Sequence, residues 1–189
     1  YSRQTSAGGF NMWPGYYGSH FASLYATHFL LDAKAYGYAV ENELIRSTVE
    51  YLRRIAREQA DGLVAQRHRA MAIYLLARAQ EMPTNYLIDL HDTLKSQGES
   101  WQKDIAAMYI AATYQLLQKH DEAAAMVEQF GFDNKVEEPT DFQSDLTVNA
   151  QYVYLVSAHF PEIQQQLDVK NTIMPLLQPL MRGRFNTIS

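Results

Sequence analysis

Four stretches of this 189-residue chain carry apolar side chains on nearly every side of a helix: residues 21–33, 70–77, 105–117 and 146–160. A helix with one face in water cannot look like that, so each must be covered on both flanks. Between them lie segments apolar on a single stripe. Residues 42–60 place Leu44, Ile45, Val49, Leu52 and Ile55 on one side and Arg46, Glu50, Arg53, Arg57 and Glu58 elsewhere. Alternation of the two kinds predicts helical hairpins in two concentric layers, with the all-round apolar helices inside.

Local signals divide the chain accordingly. Ser19 reads as the cap of a helix running to about 36, with Gly37 at its end. Further helices are expected over 42–60, 64–80, 84–96 (capped by Thr84), 100–118, 121–130 and 145–159. Gly62, Pro83, Gly98, Gly131 and Pro161 act as stops. The polar stretch 133–143 is the expected surface loop. A last helix carries Ile173, Leu176, Leu177, Leu180 and Met181, interrupted by Pro175 and Pro179 and closed by Gly183. The odd helices start near 19, 64, 100 and 145 and share an alanine-plus-aromatic theme, as in Ala72-Ile73-Tyr74 and Ala107-Met108-Tyr109. A helical hairpin repeat has that spacing. Few charges fall along the odd helices, which favours an all-α fold, a partial α/α toroid, over an open solenoid with a polar concave face. One all-α domain over 1–189 is expected.

Composition excludes more than it specifies. Without cysteine there is no disulfide, no thiolate nucleophile and no thioester made from residues present here. A net charge of −5 argues against a nucleic-acid surface, and no apolar run is long enough to cross a bilayer. The basic group Arg53, Arg54 and Arg57 is expected on a solvated face, paired as Glu50–Arg54 and Arg54–Glu58 at helical spacing.

Chemistry is sparse. No phosphate loop, zinc-protease helix or serine elbow occurs. Asp89, His91 and Asp92 are the best metal-like cluster, but Asp89 and Asp92 share one side of a helix and His91 points away. His28, with Asp32 four residues on, reads as a core histidine with a partner. His68, between Arg67 and Arg69, reads as solvent-facing. Tyr152 and Tyr154 read as buried aromatics, with an inner cavity as the alternative. Glu41 and Glu43 suit a helix start. No catalytic, cofactor-binding or metal residue is expected, and no cofactor.

The opening turn-rich segment, Gly8-Gly9-Phe10 followed by Trp13-Pro14-Gly15, has two aromatic anchors, Phe10 and Trp13, that can pin it to a core. Together with Ser23-Leu24-Tyr25-Ala26-Thr27, Leu30-Leu31-Asp32-Ala33 and Gly37, it resembles the thioester domain of bacterial alpha-2-macroglobulin-like proteins. Asp145-Leu146-Thr147-Val148-Asn149-Ala150-Gln151 and the run from Arg182 to Ser189 look like further parts of that domain. The resemblance implies the C-terminal part of an α/α toroid within a larger periplasmic or envelope-associated protein that traps proteases. In that family a Cys-x-Glu-Gln thioester acylates the attacker. It would lie before Tyr1, and no residue here matches it. The implied role is a non-enzymatic scaffold whose partners are target proteases, through the whole parent, and neighbouring macroglobulin domains, with no nucleic acid and no direct membrane contact. A toroid enzyme acting on polysaccharide or isoprenoid and an open helical-repeat binding module are the alternatives.

Overall fold

The computed structural model describes residues 3–13, 17–59, 61–98, 100–130 and 143–166, with 174, 177, 178 and 181 beyond. Among them the fold is all-α, with one isolated bridge between Gln4 and Phe10. The chain forms two compact units, residues 1–99 and 100–189. Most of the polar stretch 133–143, most of the last helix, and Gly131 and Gly183 lie outside the described residues.

The first unit holds α1 (His20–Ala35), α2 (Asn42–Arg57), α3 (Leu63–Arg78) and α4 (Thr84–Ser96). The α3 helix is its centre, packing against the other three. Every residue from Arg69 to Leu76 is buried, as the all-round apolar pattern requires. The α2 helix is amphipathic, burying Val49, Tyr51, Leu52, Ile55 and Ala56. In α1 the expectation is only half met. Ser23, Leu24, Thr27 and Leu31 are buried, but Phe29 is 70% exposed. Phe21 and Tyr25 shield one another with ring centroids 4.5 Å apart. Apolar periodicity records what a helix can bury, and here one flank is shielded by its own aromatics.

In the second unit a short 3-10 turn (Ser100–Lys103) leads into α5 (Ile105–Leu116), α6 (His120–Phe130), α7 (Asp145–His159) and α8 (Pro161–Gln166). Every α5 residue from Ile105 to Tyr114 is buried, and α5 packs against the turn, α6 and α7. The single helix expected over 100–118 is thus two pieces. Asp104 breaks it, its extended backbone letting the carboxylate accept from the Ala106 N–H at 3.0 Å.

Several boundary signals act differently from expectation. Gly62 (φ +90) opens α3 instead of closing α2, and Pro83, not Thr84, occupies the position before α4. The α3 and α5 helices close through left-handed Gln80 and Gln118 (φ 64 and 62), without glycine. Pro161 starts α8, where a missing N–H costs nothing. The α7 helix opens with a capping box between Ser144 and Thr147. Ser144→Ala should lower stability by about 1 kcal/mol, read as a shift in the urea midpoint with an unchanged slope.

Candidate functional site

The glycine motif folds into a tight loop laid against α2. The Thr5 N–H donates to the Gly9 carbonyl at 2.7 Å, and the Asn11 N–H donates to Arg3 at 3.0 Å. Gly8 has φ +86, and a Cβ there would collide with the carbonyl of Ser47. A Cβ on Gly9 would strike the Tyr51 ring, and one on Gly18 would sit 3.0 Å from the Tyr51 hydroxyl. Glycine is thus needed because backbone lies directly on helix.

Side chains lock this contact. The Tyr51 hydroxyl donates to the Gly18 carbonyl at 3.1 Å, and Gln4 Nε2 donates to Ser47 Oγ at 2.7 Å. Arg54 reaches across to the Ala7 carbonyl with its guanidinium 4.8 Å from the centre of the Tyr51 ring. Ser23, fully buried, accepts from the Phe10 N–H at 2.8 Å and donates to Ser19 at 2.7 Å. Ser19 meanwhile caps α1 through the Ala22 N–H. Ser23→Ala should therefore cost about 1–2 kcal/mol, because the Phe10 N–H loses its acceptor. Thermal melting of the variant is the check.

Trp13 does not pin the loop. It is 68% exposed, because the glycine contacts and hydrogen bonds already hold the segment. Phe10 does turn inward, lining a cavity of about 820 Å³ with Phe29, Leu30, Tyr36, Tyr38 and Leu44. Arg3, Asp32 and Glu41 supply its polar edge.

The other sequence candidates are dispersed. His28 Nε2 lies 3.5 Å from Asp32, whose other oxygen accepts from Arg78 at 2.7 Å. Burial is the chief cause that holds the His28 pKa below its ordinary value; Asp32 opposes it and Arg78 adds to it. Asp89 is committed to another helix. It pairs at 2.5 Å with Arg69, whose side chain is only 2% exposed and also meets Gln66 and the Ala56 carbonyl. His91 is half-buried, and its pKa is lowered by burial first and by Lys95 next. No group of three metal-binding side chains occurs among the described residues, and no described helix is long and apolar enough to cross a membrane.

Two expectations are overturned. His68 is half-buried instead of solvent-facing, its ring 5.9 Å from that of His20, and Arg67 and Arg69 beside it are buried. Nor do Glu50–Arg54 and Arg54–Glu58 pair. Arg53 takes Glu50 and, at 2.5 Å, Glu81, while Arg54 is committed to the loop and Glu58 lies 3.5 Å from His20. Glu43 sits in the first turn of α2, as its position implies, and pairs with Arg46. In the second unit Tyr152 is buried and stacked on Phe130 at 5.3 Å, with its pKa raised by burial, whereas Tyr154 is half-buried. Tyr152 also borders a cavity of about 680 Å³ with His120, Val127 and Phe160.

Ser23, Tyr51 and Arg69 were not evident as site residues in the sequence. Only the three-residue spacing of Tyr51 and Arg54, which makes them neighbours on the helix surface, hints at their joint role.

No protein-family model matches the chain. It is 30% identical over 192 residues to an alpha-2-macroglobulin of Rickettsia conorii, an alignment covering 99% of this chain and 10% of the relative. An alpha-2-macroglobulin homolog of Yersinia pestis is 34% identical over 168 residues, or 85% of this chain and 8% of that one. The chain spans about a tenth of the length of the curated relatives it matches. In fold it is similar to Escherichia coli alpha-2-macroglobulin activated by porcine elastase, with a TM-score of 0.71 at 18% identity, covering 99% of this chain and 17% of that chain. Related in sequence along nearly its whole length and alike in fold, the chain is a homologue of one helical segment of the bacterial alpha-2-macroglobulins.

Proposed function

We propose that the chain is a scaffold segment of an alpha-2-macroglobulin-like, protease-trapping protein and carries no catalytic step of its own. The sequence match along 99% of the chain carries this reading. The E. coli neighbour's activation by elastase supports a protease as the partner of the whole parent. Both units would belong to one all-α domain, the C-terminal part of the thioester-type domain, packed against neighbouring domains of a periplasmic or envelope-associated protein. A toroid enzyme and an open binding module are not favoured by relatives of this kind.

The test uses the whole parent protein mixed with elastase. Trapping predicts that digestion of casein falls steeply while hydrolysis of a small peptide anilide continues, since a caged protease still admits small substrates. Equal residual activity on both substrates would sink the reading.

A further inference from the structure

A histidine pair lies beneath the loop anchor. His20, the first residue of α1, meets His68 of α3 edge-on with ring centroids 5.9 Å apart, and meets the Tyr51 ring at 6.1 Å. Tyr51 is the surface on which Gly9 and Gly18 rest, and its hydroxyl bonds Gly18. The chain of contact therefore runs His68, His20, Tyr51, glycine loop. We propose that the His20–His68 pair is an acid-sensitive latch, which holds the loop and the first turn of α1 on α2 when His68 is neutral and releases them when it is protonated.

The surrounding charges set the direction. From α1 the pair is faced by His20 itself, and from α2 by Tyr51 and the half-exposed Glu58, 3.5 Å from His20, with Arg54 over the Tyr51 ring. On its own helix His68 is flanked by Arg67 and Arg69, and α4 brings Asp89, which is engaged by Arg69. A proton on His68 thus enters a half-buried site next to a second imidazole and a guanidinium, while the carboxylate of Glu58 lies against His20. Burial foremost, then His20 and Arg67, lowers the His68 pKa from 6.5 to about 4. A lowered pKa means that the latched state binds the proton less well than the released state. The His68 contribution to latching is therefore fully present above pH 6.5 and is lost as pH falls toward 4. With those two values the released population rises by up to about 30-fold between pH 8 and pH 5, and less to the extent that solvent screens the site.

Nuclear magnetic resonance of the 15N-labelled chain reads this directly. Between pH 8 and pH 3 the amide signals of Gly8, Gly9 and Gly18 should move toward exposed-loop positions, with the midpoint of the His68 ring titration, while α3 amides hold still. In His68→Gln, which cannot take the proton, the glycine signals should stay in place over the same range. The proposal is overturned if the glycines move identically in that variant, or if loop and α3 signals are lost in one step. Should His68→Gln not fold, the native chain decides alone. Coincident midpoints for the ring and the glycines support the latch, and separate midpoints refute it.

Discussion

Replacing Arg69 by methionine is expected to lower the unfolding free energy by about 2 kcal/mol, because the Ala56 carbonyl and the buried Gln66 side chain lose their donor. The guanidinium is 2% exposed and lies 2.5 Å from Asp89. It also approaches Gln66 at 3.1 Å and the Ala56 carbonyl at 3.3–3.4 Å. Since α2 ends at Arg57, that carbonyl is one of the last four, for which the helix has no internal donor. Methionine keeps most of the volume, so the loss isolates the polar bonds. Alanine adds a cavity and should cost roughly 5 kcal/mol. Asp89→Asn keeps an acceptor but leaves the buried guanidinium without its counter-charge, so it should cost about as much as Arg69→Met. Urea unfolding followed by circular dichroism measures all three. A loss under about 0.5 kcal/mol for Arg69→Met would mean that the cluster adds nothing beyond packing.

Gly8→Ala should destabilise by about 2–4 kcal/mol, because two costs coincide. Its left-handed backbone (φ +86) costs a side chain about 1–2 kcal/mol. The new methyl group also meets the Ser47 carbonyl, main-chain atoms of a packed helix that cannot swing aside as a flexible side chain would. Gly37 provides the control. Its φ of +84 is nearly the same, but nothing lies within 4 Å of the added Cβ. Gly37→Ala should therefore show the conformational cost alone, about 1 kcal/mol. Equal losses at the two positions would show that the loop yields freely and is not pressed onto α2.

Much of the scaffold is legible in the sequence because it follows from periodicity. The buried runs of α3 and α5, the single stripe of α2, the Ser19 cap and the bounds of α7 all rest on local side-chain pattern. What pattern misses is commitment to distant partners. Arg54 has Glu50 and Glu58 at helical spacing, but a loop carbonyl 47 residues away takes its guanidinium. Arg67, His68 and Arg69 form a polar triplet that reads as wet. The two arginines are buried and His68 is half-buried because the helix that carries them packs on three others, and Asp89, twenty residues on, balances Arg69. Asp104 was invisible for the opposite reason: a capping aspartate inside an apolar run looks like an interruption of one helix until its backbone is seen to be extended. The glycine motif itself was plain. Tyr51, the surface that makes the motif necessary, was not.

Tyr51 therefore links three positions in descent. A side chain at 9 or 18 needs the ring's space, and a smaller residue at 51 leaves the loop without its floor and Gly18 without a donor. Single changes at any of the three pass through a poorly fitting form, so substitutions should appear together between distant homologues. That joint variation offers a way to recognise this packing where overall identity has faded.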